Sequence, residues 1–195
     1  LIDCGATADC TPEFLLQFAF MGSYYAEKVL GIENPRVALL NIGAEDSKGG
    51  ELQKAVYPLL QQAGAAGKIN FTGNIEARDV PLGGADVVVA DGFSGNIATK
   101  SIEGAGKFVL ARLKAAMGQS LLSKIGLALL KGTLKSMSAE LSGDEYGGAI
   151  LLGLKAPVVK GHGSTSARAV CQGTLTAAKA VRGDLCGRIA RACEA

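Results

Sequence analysis

Tryptophan is absent, aromatic residues of all kinds reach only 5%, and charge is nearly balanced at a net +2. That balance gives no case for a nucleic-acid partner, which would require a basic stripe or patch. No apolar run reaches the roughly 18 residues that cross a bilayer as a helix. No Cys-x-x-Cys pair occurs among Cys4, Cys10, Cys171, Cys186 and Cys193, which argues against a zinc knuckle. The odd number of cysteines and the want of a signal peptide lead to the expectation of a reduced, cytoplasmic chain. A Gly-x-Ser-x-Gly elbow is missing too, which disfavours a Ser–His–Asp hydrolase.

What is abundant is glycine, 27 of 195 residues, within a chain that is 48% apolar. The length fits one ordinary domain or a large piece of a bigger one. The apolar share fills a core, and the glycines suit the tight strand–helix turns of an α/β protein. The opening Leu1-Ile2-Asp3-Cys4-Gly5 reads as a strand entering a turn, so an N-terminal part is expected to precede it in a longer protein.

Along the chain, strands and helices alternate. Residues 1–4 read as a strand. Thr11-Pro12-Glu13 starts a helix, with Thr as cap, Pro at the first position and an acid following, and Gly31 stops it after Leu30. Residues 36–42 form a continuous apolar run of strand length, as in a strand covered on both faces. A loop at 43–50 leads into a helix at 51–62, and 69–72 is a short strand. Residues 85–90, Ala-Asp-Val-Val-Val-Ala, are the clearest buried strand. A helix follows from Asn96 to about Met117. Strands are expected at 149–154 and 157–160, a helix from Ser164 to about Val181, and a last short helix at 184–192. The pattern predicts a three-layer α/β/α, Rossmann-like fold with a mainly parallel sheet.

In such sheets ligands bind beyond the carboxyl ends of the strands. Three loops fall there and carry glycine with polar groups. The first, 43–50, begins with Gly43 and holds Glu45, Asp46, Ser47 and Lys48. Lys48 either brings positive charge to a phosphate or is a solvated surface lysine. Glu45 and Asp46 are read as exposed acids rather than metal ligands. The second is Asp91-Gly92-Phe93-Ser94-Gly95-Asn96. Its glycines permit close backbone approach, and the helix behind it offers free N–H groups and the positive end of its dipole. It is either an anion-binding turn or a plain strand–helix turn capped by Ser94 or Asn96. Its Gly-x-x-Gly spacing is not the dinucleotide fingerprint. The third is Gly161-His162-Gly163-Ser164-Thr165-Ser166, with the only histidine. His162 either serves a second anion cradle, as phosphate donor or proton carrier, or is structural.

Residues 118–140 stand apart as a protruding amphipathic helical segment. Lys124, Lys131 and Lys135 share one narrow stripe at about 100° per residue. Leu121, Leu122, Ile125, Leu127, Leu129, Leu130 and Leu134 cover the rest, and no acid occurs between Glu103 and Glu140. A wide apolar face with a purely basic stripe suits a helix lying in an anionic membrane surface. A core or dimer-interface helix is the alternative, and Gly126 and Gly132 leave a helical hairpin open.

Taken together and in order, a set of motifs resembles one family nearly end to end. They are Asp3-Cys4-Gly5-Ala6, Gln17-Phe18-Ala19-Phe20-Met21-Gly22, Asn34-Pro35-Arg36-Val37, Leu40-Asn41-Ile42-Gly43, Lys48-Gly49 and Phe71-Thr72-Gly73-Asn74. With them go residues 91–96, Glu145-Tyr146-Gly147-Gly148-Ala149, Leu154-Lys155-Ala156-Pro157 and His162-Gly163-Ser164. The family is the acyl-acyl carrier protein:phosphate acyltransferases of bacterial phospholipid synthesis (the PlsX family). More distantly the chain resembles the phosphotransacetylases, which act on coenzyme A thioesters. Two departures stand out: Ala6-Thr7 where the family usually has Ala-Asn, and Gly49-Gly50 where Gly-Asn is common.

The resemblance implies that residues 1–195 are the C-terminal portion of a single catalytic domain. It implies transfer of an acyl group from acyl carrier protein to inorganic phosphate, releasing carrier thiol and acyl phosphate. It also implies a homodimer, cytoplasmic and held peripherally at the inner membrane face, with no metal or redox cofactor. Lys48 and Asn96 match the family's catalytic centre. Lys48 is expected to neutralise charge on phosphate or the developing oxyanion. The Asn96 amide and the N–H groups of Gly95 and Asn96 are expected to donate to the thioester oxygen or phosphate. Gly43, Asp91, Gly92, Ser94, His162, Gly163 and Ser164 are expected around the substrate. The membrane contact falls to Leu121, Leu122, Lys124, Ile125, Leu129, Lys131 and Lys135. A coenzyme A-dependent enzyme and a non-catalytic acyl-carrier-binding module remain as alternatives.

Overall fold

The apolar run after Arg36 forms the central strand of the main sheet, β1 (Arg36–Asn41), and its alternation decides what packs on each face. Val37 and Leu39 point into one cluster and Ala38 and Leu40 into the other. Successive strand side chains face opposite ways, so a strand apolar at every position needs cover on both. β2 (Asn70–Glu76) and β3 (Val87–Val89) flank β1, both parallel to it, in the order β2-β1-β3. The opening strand is reduced to a single bridge, Ile2 to Val89, also parallel. The Ile2 N–H donates to Val88 O at 2.9 Å and Ile2 O accepts from Ala90 N–H at 2.8 Å. The structure, a computed structural model, describes residues 1–117, 121–142, 147–161 and 166–194.

Helix α1 (Pro12–Tyr25) begins as its sequence predicts. Thr11 Oγ1 accepts from Phe14 N–H and Pro12 occupies the first turn. A π-helical turn, Ala26–Leu30, extends it, and Gly31 at φ 74° ends it in the left-handed region. Leu15, Ala19 and Phe20 of α1 meet Val56, Leu60 and Ala63 of α2 (Glu51–Ala65) over Val37, Leu39, Val87 and Val89. Leu15, Leu39, Leu60 and Val56 are wholly buried. Each such side chain contributes roughly 1.5–3 kcal/mol relative to exposure. Gly22 lets α1 lie close on β3: a Cβ there would stand 2.5 Å from Val87 Cγ1. On the opposite face, Ala38, Val88 and Ile75 gather Leu40, Val80 and Ala85.

Polar contacts fix the strand starts. Arg36 Nε and Nη2 grip the Asp86 carboxylate at 3.0 Å each, and Arg36 N–H donates to Asp86 Oδ2 at 2.8 Å. The same guanidinium reaches Gly83 O and Gly84 O. β1 and β3 are thereby tied together at their amino ends.

The helix after β3 starts earlier than its sequence implies. α3 runs Gly92–Met117, so Gly92, Ser94, Gly95 and Asn96 lie inside its first turns rather than in a preceding loop. β4 (Ala149–Leu151) and β5 (Val158–Lys160) form a separate two-stranded sheet. The residues after β5 therefore do not follow a strand of the main sheet, a correction to the expectation of three loops along one sheet edge. α5 (Ala167–Arg182) and α6 (Leu185–Glu194) complete the chain. The architecture is mixed α/β of Rossmann-like type.

The chain divides into two compact units. One comprises Leu1–Thr99, Leu151–Val158 and Ala177–Ala195, and contains the main sheet, α1, α2 and α6. The other comprises Lys100–Ile150 and Val159–Thr176. It holds α4, a helix continuous over Leu121–Ser142 through Gly126 and Gly132, so a hairpin does not form there. Leu134 of α4 is buried, whereas Ile125, Leu129, Leu130 and Met137 are exposed, as is Lys131. The side chains of Leu121, Leu122, Lys124 and Lys135 lie outside those described. Among the described residues no helix is long and apolar enough to cross a membrane.

Candidate active site

β1, β3 and the Ile2 bridge are neighbours and parallel, so the segments that follow them emerge along one edge of the sheet. Adjacent strands lie about 4.8 Å apart. The loop after β1 and the first turns of α3 therefore start side by side.

Two asparagines hold the loop after β1. Asn41, at the end of the strand, is 9% exposed, and all its polar atoms are engaged. Its Nδ2 donates to Lys48 O and to Asn74 Oδ1, each at 3.0 Å, and its Oδ1 accepts from Ile42 N–H at 2.8 Å. Asn74, on β2, donates through Nδ2 to Glu45 O at 2.8 Å. The Lys48 N–H returns to Glu45 O at 3.1 Å, closing the turn. Gly49 follows at φ 101°, and a Cβ there would meet Asn41 Oδ1 at 2.8 Å and Gln53 Cβ at 2.5 Å. Only glycine suits both the backbone angle and the contact.

The backbone of Lys48 is thus pinned while its side chain stays about half exposed, with Nζ 4.0 Å from Glu45 Oε1. An exposed pair at that distance is weak, so the ammonium remains able to meet an anion. Gly43 is buried beneath the Glu45 and Lys48 side chains. Asp46 accepts from the Tyr57 hydroxyl at 2.6 Å. Burial, and then that bond and the Asp46 charge, push the Tyr57 phenol up to about 12.

Asp3 organises the segment after the Ile2 bridge. Its Oδ1 accepts from the N–H groups of Gly5 and Ala6 at 3.0 Å each, and its Oδ2 from Thr7 N–H at 2.6 Å. Thr7 O in turn accepts from Gly92 N–H at 2.9 Å and from the Cys10 thiol. The segment lies directly on α3. A Cβ at Gly95 would stand 1.9 Å from Asp3 O, one at Gly92 2.5 Å from Thr7 O, and one at Gly5 3.4 Å from Asn96 Cγ. The two glycines of the Gly-x-x-Gly spacing are needed for the Asp3 segment to pack on the helix.

One of the two backbone donors expected at the anion site, the Gly95 N–H, is engaged within the chain. Gly95 N–H is bonded to Asp91 O at 2.9 Å, Ser94 N–H to Asp91 Oδ1 at 2.8 Å and Gly92 N–H to Thr7 O. Asp91, 7% exposed, is the cap of α3, in place of the Ser94 or Asn96 expected from the turn's residue types. The chain's own carboxylate and carbonyl groups occupy these three donors. Asn96 differs. Its side chain is half-buried against Gly5, and its amide has no hydrogen-bond partner among the described residues. An amide held in place by packing, with both donors open, can bond to an oxygen that gains charge.

Lys48 and Asn96 therefore stand on the segments that follow adjacent strands, one a cation and one an uncharged donor. Together they can neutralise a phosphate and polarise a carbonyl. His162, Gly163, Ser164 and Thr165 lie outside the described residues; the neighbouring Ser166 caps α5 through Oγ to Ala169 N–H at 3.2 Å. Among the described residues no cluster of three His, Cys, Asp or Glu could hold a metal ion. Sequence reasoning passed over Asn41, Asn74 and Asp3 as individual residues. The visible sign was an amide closing an apolar strand, Val-Ala-Leu-Leu-Asn, where a buried polar group requires partners.

The model of a family described as fatty acid synthesis protein matches residues 1–188. A phosphate acyltransferase of Brevibacillus brevis is 50% identical over 184 residues, covering 94% of this chain and 54% of the relative. One of a Geobacillus species is 48% identical over 193 residues, covering 99% and 57% respectively. One of Lactobacillus delbrueckii subsp. bulgaricus is 53% identical over 171 residues, covering 87% and 51%. The chain spans about half the length of the curated relatives it matches.

Proposed function

The chain belongs to the fatty acid synthesis protein family, and from that premise we propose that it carries the catalytic residues of a phosphate acyltransferase. The acyl donor is an acyl carrier protein thioester and the acceptor is inorganic phosphate. A phosphate oxygen attacks the thioester carbonyl carbon. The new C–O bond forms, the C–S bond breaks, and the carrier leaves as a thiolate that takes a proton. Acyl phosphate is the product.

The chemistry brings an anionic nucleophile to a carbonyl oxygen that itself becomes negative. Lys48 offsets this charge from the pinned loop after β1. The Asn96 amide donates to the carbonyl oxygen as it gains charge, and a prepositioned donor needs little rearrangement at that moment. Phosphate held beside the thioester reacts as an oriented pair rather than by encounter. A thiolate leaves readily, so no covalent enzyme intermediate is required.

The observation that carries the reading is the Asn96 amide, without a hydrogen-bond partner among the described residues and packed against Gly5 at the start of α3. The exposed Ile125, Leu129, Leu130 and Met137 on α4, with Lys131, support a further part of it: α4 rests on an anionic membrane surface in a cytoplasmic homodimer. The direct test supplies the purified protein with phosphate and palmitoyl thioesters of acyl carrier protein or coenzyme A. Release of free thiol with formation of acyl phosphate, faster from the carrier, is the expected result. Faster reaction from coenzyme A would reassign the donor, and binding of carrier with no thiol released would refute the enzymatic reading.

A further inference from the structure

The unit that contains the main sheet carries a second feature, a cleft of about 610 Å³ between α1, the α2–β2 turn and the α5–α6 junction. Small-molecule sites typically span about 300–1,000 Å³. Phe20 and Tyr24 line it, and Lys68, Arg182, Arg188 and Arg191 bring four cations to it against one carboxylate, Asp184. None of these residues belongs to the site built on Lys48 and Asn96.

That one acid is already engaged. Asp184 sits at φ 49° in the junction and accepts from Arg191 Nη2 at 2.7 Å, and this bond holds its carboxyl below the usual range. Lys68 and Arg182 have no acidic partner among the described residues, and Arg188 shares the Asp184 charge with Arg191. Their backbones are fixed. Lys68 N–H donates to Ala63 O at 3.0 Å beyond Gly67, which is at φ 68°. Gly183 N–H and Asp184 N–H close the junction onto Lys179 O and Val181 O. The Arg188 guanidinium lies over the Tyr24 ring, 6.0 Å from its centroid, an arrangement that orients a cation without using its hydrogen-bond donors. Like charges brought together around a concave surface repel unless an anion joins them, and the cleft focuses their field.

We propose that this cleft binds a soluble organic phosphate ester, with its phosphoryl oxygens on Lys68, Arg182 and Arg188 and its ring or apolar body on Phe20 and Tyr24. The inference stands on the cleft alone and does not depend on the acyltransferase reading. Titration calorimetry on the purified protein with ADP, pyrophosphate and adenosine tests it. ADP is expected to bind saturably and tighter than either fragment. Lys68→Glu with Arg182→Glu is expected to weaken ADP at least about tenfold, since two charge-assisted donors are lost. Acyl phosphate formation should be unchanged. Lys68→Gln with Arg182→Gln should give an intermediate loss at an unchanged melting temperature. Adenosine binding as tightly as ADP, equal ADP affinity in the wild type and the charge-reversed variant, or no saturable binding at millimolar ADP would each overturn the proposal.

Discussion

Asn41 and Asn74 meet amide to amide across β1 and β2, Nδ2 to Oδ1 at 3.0 Å, and between them hold the backbone of Glu45 and Lys48. Neither asparagine carries charge into the site, so their effect on chemistry runs through Lys48. Asn41→Ala is expected to lower kcat by up to roughly 10²-fold, the scale of a small misplacement of a reacting group. In a Lys48→Ala background the same change should add little, because coupled residues are not additive. Kinetics of the two single variants and the double variant decide it. Full additivity would make Asn41 a purely structural residue.

Asn96→Ala removes the open amide at the start of α3 and leaves the capping by Asp91 in place. It should cut kcat by roughly 10²–10³, the loss associated with one oxyanion donor. KM for phosphate should change far less. Near-normal turnover in a folded Asn96→Ala protein would exclude the role.

Two glycines of α3 should respond with opposite sign. Gly95→Ala drives a methyl group into Asp3 O, 1.9 Å away, and is expected to destabilise by about 1–3 kcal/mol or more. Gly104→Ala meets open space within the helix and should stabilise by up to about 1 kcal/mol. Urea unfolding of both variants measures the difference, and equal shifts would contradict the close approach at Gly95.

The Arg36–Asp86 grip predicts an acid dependence. Hydrogen bonds from the Arg36 side chain, then from its backbone, hold the Asp86 carboxyl below its ordinary value. A lowered folded value means that the contribution is whole above the unfolded-chain value, about 3.9, and fades as pH falls through the folded one. Asp86→Asn should therefore melt below the wild type at pH 6, with the gap closing toward pH 2. A gap that stays constant over that range would refute the assignment.

For α4, Lys124→Glu, Lys131→Glu and Lys135→Glu together should abolish sedimentation with anionic vesicles at low salt. Each basic residue near such a surface is worth about 1 kcal/mol. Unchanged sedimentation would remove α4 as the contact.

The sequence by itself determined the α/β class and the parallel strands of the main sheet. Those features rest on local rules: an apolar run of strand length, a Thr-Pro helix start, a left-handed Gly31 stop. Lys48 and Asn96 stand out through the family resemblance; by residue type alone each keeps a plainer alternative, a surface lysine and a helix cap. Tertiary structure alone decided which donors are free. The Gly95 N–H reads as an anion donor in one dimension, yet Asp91 O already takes it, as Asp91 Oδ1 and Thr7 O take the neighbouring Ser94 and Gly92 N–H groups. It also decided that β4 and β5 form a sheet of their own, and that buried Asn41, with half-buried Asn74, steadies Lys48. The reason is general to buried polar groups. Their hydrogen bonds are satisfied by partners distant in the chain, 33 residues in the case of Asn41 and Asn74, and no local pattern records that distance.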